Sequence, residues 1–306
     1  MKSERYELIL SYGRWWYVLG VVALYGVALG VVRYLGITIN GVSAGLGLVW
    51  VIALALALAM FRDVFDTVLV KAVDPLFPQE SIQRTAPGRI SPLPPRTRKL
   101  LAALVALTIT AVLSVLFLAQ GWLTSTVIAV MVMAFVGVIV YAVPPFRLLD
   151  RGFGELTLSI LFVNLVPMFA FSFQAGELHR FIGMLTFPLT LLHLSMQLAV
   201  QLPTYGAPEQ REHPPLMLRL GWENGMTLHN YLLLGAFALM GISTILGLPS
   251  FITLPVFLLL PIGLGLIWYF TRIATGAKPN WNAVIFLSVG LFAGMIYLMG
   301  FGFWTN

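Results

Sequence analysis

Charged residues are missing from most of this chain and return at intervals, leaving long apolar runs between them. A helix crosses the hydrocarbon of a bilayer with about 20 apolar residues, so each run can be divided by that length. Runs 15–32 and 34–61 supply one span each. Run 100–146 carries no charge and must fold back on itself, most simply at Gln120-Gly121, which makes two. Runs 156–176 and 181–208 add one each, 224–271 divides at Leu248-Pro249-Ser250, and 279–306 is the last. The pattern predicts an all-α polytopic membrane protein with nine transmembrane helices. No internal repeat stands out, and an odd count does not split into the two equal inverted halves of a transporter. A single membrane domain over 1–306 is therefore expected. The first run is long and is preceded by Glu4 and Glu7, so it reads as a retained helix rather than a cleaved signal peptide.

Composition agrees with the pattern and narrows the function. The chain is 59% hydrophobic and 10% charged, with a mean hydropathy of +0.92. Soluble domains carry about 25% charged residues, so a soluble enzyme, a disordered chain and a nucleic-acid module are excluded. There is no cysteine, which removes disulfides, thiolate nucleophiles and cysteine-ligated metals. Any metal must sit on oxygen or imidazole.

Alternation of nine spans places 16 of the 18 Lys and Arg on one side, leaving Arg33 and Arg180 opposite. By the positive-inside rule that side, with the N-terminus, is cytoplasmic and the C-terminus is external. Eleven of the twelve acids fall on the same side, Glu177 being the exception. Acids contribute little to orientation, so their gathering there asks for another reason. Two cytoplasmic loops, 62–99 and 202–226, exceed the about 12–15 residues of an ordinary connector and are expected to cap the bundle.

Asp63 and Asp66 stand three apart where the second span leaves the membrane, so on a continuing helix they share a face. Two carboxylates at a helix C-terminus repel each other and oppose the macrodipole. Either Arg62 and Lys71 pair with them, or they hold Mg²⁺, which takes one or two carboxylates and completes its shell with water and substrate phosphates. The basic residues of that loop have a similar double reading. They anchor lipid headgroups, or Arg84 and Arg89, which flank Ala86-Pro87-Gly88, chelate a diphosphate. Within the sixth span His193, Gln197 and Gln201 advance in steps of four and form one stripe with Thr190 near it. Polar groups in a membrane face the bundle or a cavity. The stripe either hydrogen-bonds neighbouring helices or binds an acceptor, with His193 removing a proton. Asn164, in the fifth span, is a further candidate.

Arg62-Asp63-x-x-Asp66 followed by Gly88-Arg89-Ile90-Ser91 resembles the first signature of the UbiA superfamily of intramembrane prenyltransferases, N-D-x-x-D-x-x-x-D before a P-x-G-R-I-S-like loop. Tyr141-Ala142-Val143-Pro144-Pro145-Phe146-Arg147-Leu148 looks like the family's Y-S-x-P-P-x-R/K-L segment, and Gly152-Phe153-Gly154-Glu155-Leu156 like its G-x-G-E-L. Gln201-Leu202-Pro203-Thr204-Tyr205-Gly206-Ala207-Pro208, with Arg219-Leu220-Gly221 beyond, resembles the second signature, N-F-P-D-Y-E-A-D with a later R-L-G. The chain departs from the pattern at Arg62 and Val70, and at Thr204 and Pro208, where the family has Asn and aspartates.

The resemblance implies a nine-helix UbiA-like bundle that transfers a polyprenyl group from its diphosphate to an aromatic or other electron-rich acceptor. It implies Mg²⁺ on Asp63 and Asp66, with nearby Glu209 and Glu212 as substitutes for the missing aspartates. Arg62, Lys71, Arg84, Arg89 and Arg147 would bind the diphosphate. Phe65, Tyr141 and Phe146 would face the allylic cation, which an aromatic ring stabilises by roughly 0.5–2 kcal/mol. Asn164, Gln197, Gln201 and Thr204 would line the acceptor cavity. The alternatives are a non-catalytic isoprenoid-lipid binding protein of the same fold and a terpene-cyclase-like relative; a transporter is disfavoured by the near absence of membrane-buried charge.

Overall fold

The computed structural model describes residues 2–65, 95–204 and 216–306. Ten helices account for most of them. They are α1 (Lys2–Tyr34), α2 (Gly41–Phe65), α3 (Pro95–Ala119), α4 (Ser125–Ala142), α5 (Gly154–Ala175), α6 (Arg180–Gln201), the short α7 (Leu216–Leu220), α8 (Trp222–Ile245), α9 (Ser250–Ala274) and α10 (Trp281–Thr305). Among the described residues nine helices, all but α7, are long and apolar enough to cross a bilayer. The chain is an integral multi-pass membrane protein.

Both expected breaks fall where the sequence puts them, for a backbone reason. α3 ends at Ala119, and Gly121 takes a left-handed φ of 70° that lets its N–H and that of Trp122 close on Leu118 and Phe117 carbonyls. A glycine after the last helical residue adopts that conformation without a Cβ penalty. Thr124 then caps α4 by accepting from the Val127 N–H. The α8–α9 break repeats this with Gly247, at φ 102°, before Pro249.

Two spans differ from the expectation. Residues 34–40, counted in the second span, do not belong to it: Tyr34 ends α1, and 35–40 form a turn, because Gly36 is left-handed and the Asn40 side chain caps α2 by accepting from the Val42 and Ser43 N–H groups. The sixth span stops at Gln201 rather than reaching Pro208; a 3₁₀ turn, Leu202–Thr204, follows and contains Pro203. Proline breaks the helical hydrogen-bond ladder.

α5 and α6 form the middle of the bundle. Of their membrane stretches 72% and 67% is buried, against 17% for α3. α6 packs against α8 and α10, α5 against α1, and α2 against α3. α5 is not a uniform α-helix, since its residues Ile160–Leu165 widen into π-helical turns. Pro167 comes two residues later, and a proline ring clashes with the carbonyl four residues back, here within the π-helical stretch, which a wider turn relieves. Such turns rotate the downstream side chains relative to the upstream ones and recur at functional sites.

Candidate functional site

One end of the bundle carries the ends of α2, α4 and α6 and the starts of α3, α5 and α8. There Asp63 meets Lys99 across the α2–α3 contact, Nζ donating to the carboxylate at 3.0 Å, with the two side chains 25% and 32% exposed. Tyr141 is buried at the end of α4, and Arg147 is half-buried just beyond it. Arg147 holds a left-handed φ of 37°, which a non-glycine residue adopts only where its surroundings enforce the turn. Phe146 is exposed. Arg62 is half-buried, one residue around the helix from Asp63. Asp66, Lys71, Arg84, Arg89, Glu209 and Glu212 lie outside the described residues, as do residues 66–94 of the first expected capping loop and 205–215 of the second.

Below that end, a chain of hydrogen bonds runs down the facing sides of α5 and α6. His193, Gln197 and Gln201 do share a stripe, and it is answered on α5 by Glu155 and Ser159, themselves four apart. His193 Nδ1 lies 2.9 Å from Ser159 Oγ and 3.2 Å from Gln197 Nε2. Gln197 Nε2 donates to Ser159 Oγ at 2.9 Å and to the Glu155 backbone carbonyl at 3.1 Å. Ser159 Oγ donates to that same carbonyl at 2.8 Å. Nδ1 of His193 thus faces both a hydroxyl and an amide NH₂, and whether it donates or accepts there follows the tautomer of the ring.

The chain ends in a clamp. Gln201 Nε2 donates to Glu155 Oε1 at 2.8 Å, and the Leu216 N–H donates to the same oxygen at 3.1 Å. The Met217 N–H donates to Gln201 Oε1 at 3.2 Å. Helix N-termini leave N–H groups without helical partners, and here Glu155 and Gln201 supply acceptors to α7 from another part of the chain. Glu155 is only 7% exposed and sits in the first turn of α5, where the helix dipole favours a carboxylate. Arg219 of α7 lies against Gly152, whose missing Cβ would come within 3.2 Å of the arginine Cδ. The segment resembling G-x-G-E-L is thereby packed on the one resembling R-L-G.

Glu155 and Ser159 were absent from the candidate list drawn from sequence. The i, i+4 spacing of two polar residues at the start of an otherwise apolar span was the available signal. Asn164 stands deeper and bonds Thr190, Nδ2 to Oγ1 at 2.6 Å, rather than joining the His193 chain. Thr204 ends the turn that follows α6.

Phe162 separates this polar chain from an apolar groove. Its ring lies parallel to His193 at 6.0 Å between centroids, with Phe292 on the imidazole at 4.9 Å. Phe162 also lines a partly open groove between α2, α4 and α5, whose walls include Leu54, Leu58, Val138, Leu161 and Trp50. The groove is closely walled: about 30 Å³ of it is open to solvent-sized occupants, within about 400 Å³ of non-atom space that includes its open side. On α2 its stripe, Leu54 and Leu58, continues at steps of four to Arg62; on α4, Ala134 and Val138 continue to Tyr141. Asp63 lies off that stripe, toward Lys99.

A magnesium ion needs several oxygen ligands converging at close range. Among the described residues no group of three or more His, Asp or Glu side chains is close enough to hold a metal, and Asp63 is already neutralised by an ammonium. The described residues alone do not make a magnesium site.

Among the described residues these features define a nine-span bundle with a polar inner seam beside an apolar groove, and the bundle has the UbiA fold. It is similar to the structure of a UbiA homolog from Archaeoglobus fulgidus bound to GPP and Mg²⁺, with a TM-score of 0.57 and 16% identity over 94% of this chain and 97% of that one. No protein-family model and no curated protein matches the sequence.

Proposed function

We propose that this chain is a UbiA-type prenyltransferase that joins a polyprenyl group to an aromatic or other lipid-precursor acceptor within the membrane. The observation that carries this reading is the buried His193–Ser159–Gln197–Glu155 seam lying one phenyl ring away from an apolar groove. Polar side chains inside a membrane face a neighbouring helix or a cavity, and this seam bonds α5 to α6 while lying beside a groove. That the similar archaeal protein is bound to GPP supports a prenyl diphosphate as ligand; the diphosphate is placed at the end of the bundle bearing Arg62, Tyr141 and Arg147 because the guanidinium groups are there. That end is cytoplasmic.

In the reaction the bond between the allylic carbon and the diphosphate oxygen breaks, its electron pair leaving with the diphosphate. Arginine guanidinium groups compensate the charge that develops there, the electrostatic effect that usually dominates. The face of Phe162 stabilises the allylic cation. The acceptor bonds to that carbon and loses one proton, which passes to the polar seam, where His193 is the basic group. The buried seam keeps water from intercepting the cation.

A non-catalytic isoprenoid-lipid binding role is the second reading. It is favoured by the Asp63–Lys99 pair, which puts a lysine where a divalent cation would be expected.

The test is to reconstitute the purified protein, supply prenyl diphosphates and aromatic acceptors with and without Mg²⁺, and follow diphosphate release and the product mass. Transfer predicts acceptor-dependent release that His193→Phe abolishes while prenyl diphosphate binding persists. Binding without release for every acceptor would leave the lipid-binding role; release without acceptor and with a cyclised product would indicate a cyclase.

A further inference from the structure

The groove has a floor. On each of its three helices the lining stops at one level, at Trp50 on α2, Ala134 on α4 and Phe169 on α5. The Trp50 indole is 1% exposed, stacks on Phe169 at 4.4 Å and meets Phe135 edge-on at 5.7 Å. Its Nε1–H donates to Ser114 Oγ on α3 at 2.9 Å. A tryptophan whose N–H is satisfied and whose faces are packed has little freedom to swing aside. Beyond it, Phe169, Phe173 and Phe117 fill the bundle ring on ring, at 5.1 and 4.6 Å.

We infer that Trp50 sets the length of isoprenoid tail the protein accepts, an inference that rests on the prenyl-diphosphate reading above. Arg62 and Trp50 are twelve residues apart on one helix, or about 18 Å at 1.5 Å per residue. An extended chain advances about 1.2 Å per bond, and an isoprene unit contributes four chain bonds. A tail of about four units therefore reaches from the charged end to the indole. A longer tail must displace a side chain held on three sides or leave the groove for the bilayer. Ala55, half-buried on the same wall, lies five residues nearer the charged end. A larger residue there raises the floor by about 7.5 Å, between one and two units.

The test measures the affinity of the full-length protein in nanodiscs for prenyl diphosphates of two, three, four, six and nine units. Wild type should bind best at about four units. Trp50→Leu should raise the six-unit affinity relative to the four-unit one by about tenfold, since newly accommodated methylenes leave water or lipid for the groove. Ala55→Phe should move the optimum to two or three units, and it carries the test by itself if Trp50→Leu does not fold. An unchanged length preference in the variants, with wild type binding normally, overturns the role of Trp50 and leaves the proposed function standing. Failure of wild type to bind any of the five overturns both.

Discussion

Replacing Glu155 by Ala should unfasten α7 from the bundle. The carboxylate oxygen accepts from Gln201 Nε2 at 2.8 Å and from the Leu216 N–H at 3.1 Å, and alanine leaves both donors without that partner. A buried donor stranded in this way costs about 1–3 kcal/mol. Gln201 and Leu216 are half-buried rather than buried, so water recovers part of each, and the combined loss is about 2–4 kcal/mol. Glu155→Gln keeps an oxygen in the same place and should cost less than about 1 kcal/mol. For a chain of this size roughly 2 °C of Tm accompanies each kcal/mol. Thermal unfolding in detergent, followed by tryptophan fluorescence, should then drop by about 4–8 °C for the alanine variant and by less than about 2 °C for the glutamine one. If the two variants unfold together, both within about 1 °C of wild type, Glu155 does not anchor α7 and the clamp is incidental.

Gly225 of α8 has no room for a side chain, because an added Cβ would overlap the Sδ of the buried Met217; Gly225→Val should cost about 1–3 kcal/mol in the same assay, and a neutral outcome would mean that Met217 is not held there. The Asp63–Lys99 pair is about a quarter to a third exposed, so a double-mutant cycle of Asp63→Asn and Lys99→Met should give a coupling of about 0.2–1 kcal/mol. A larger coupling would show the pair to be shielded from solvent. Since the chain has no cysteine, single replacements report topology directly. Gln120→Cys should react with a membrane-impermeant maleimide on intact cells and Arg151→Cys only after permeabilisation; the reverse pattern would invert the proposed orientation.

Spacing along one helix was enough to put His193, Gln197 and Gln201 on a common face, because 3.6 residues per turn is a property of the backbone alone. The helix breaks at Gly121 and Gly247 were legible for the same local reason, and so was the number of spans, since charge-free length is a one-dimensional quantity. The turn at 35–40 was harder to see. Its residues are apolar enough to read as membrane, and only the left-handed Gly36 with the Asn40 cap delays the start of α2 to Gly41.

Partnership between helices was decided by tertiary structure. The sequence paired Asp63 with Asp66, which lies outside the described residues; the meeting of α2 with α3 gives Asp63 a further partner in Lys99 that spacing on one helix does not show. Glu155 and Ser159 became part of the seam only when α5 was set against α6. Trp50 was one of many aromatics until Phe169, Phe135 and Ser114 closed around it. A sequence determines the phase of a residue on its own helix. The azimuth at which that helix meets its neighbours depends on the packing of side chains from all of them at once, and it was this that separated the polar seam from the groove beside it.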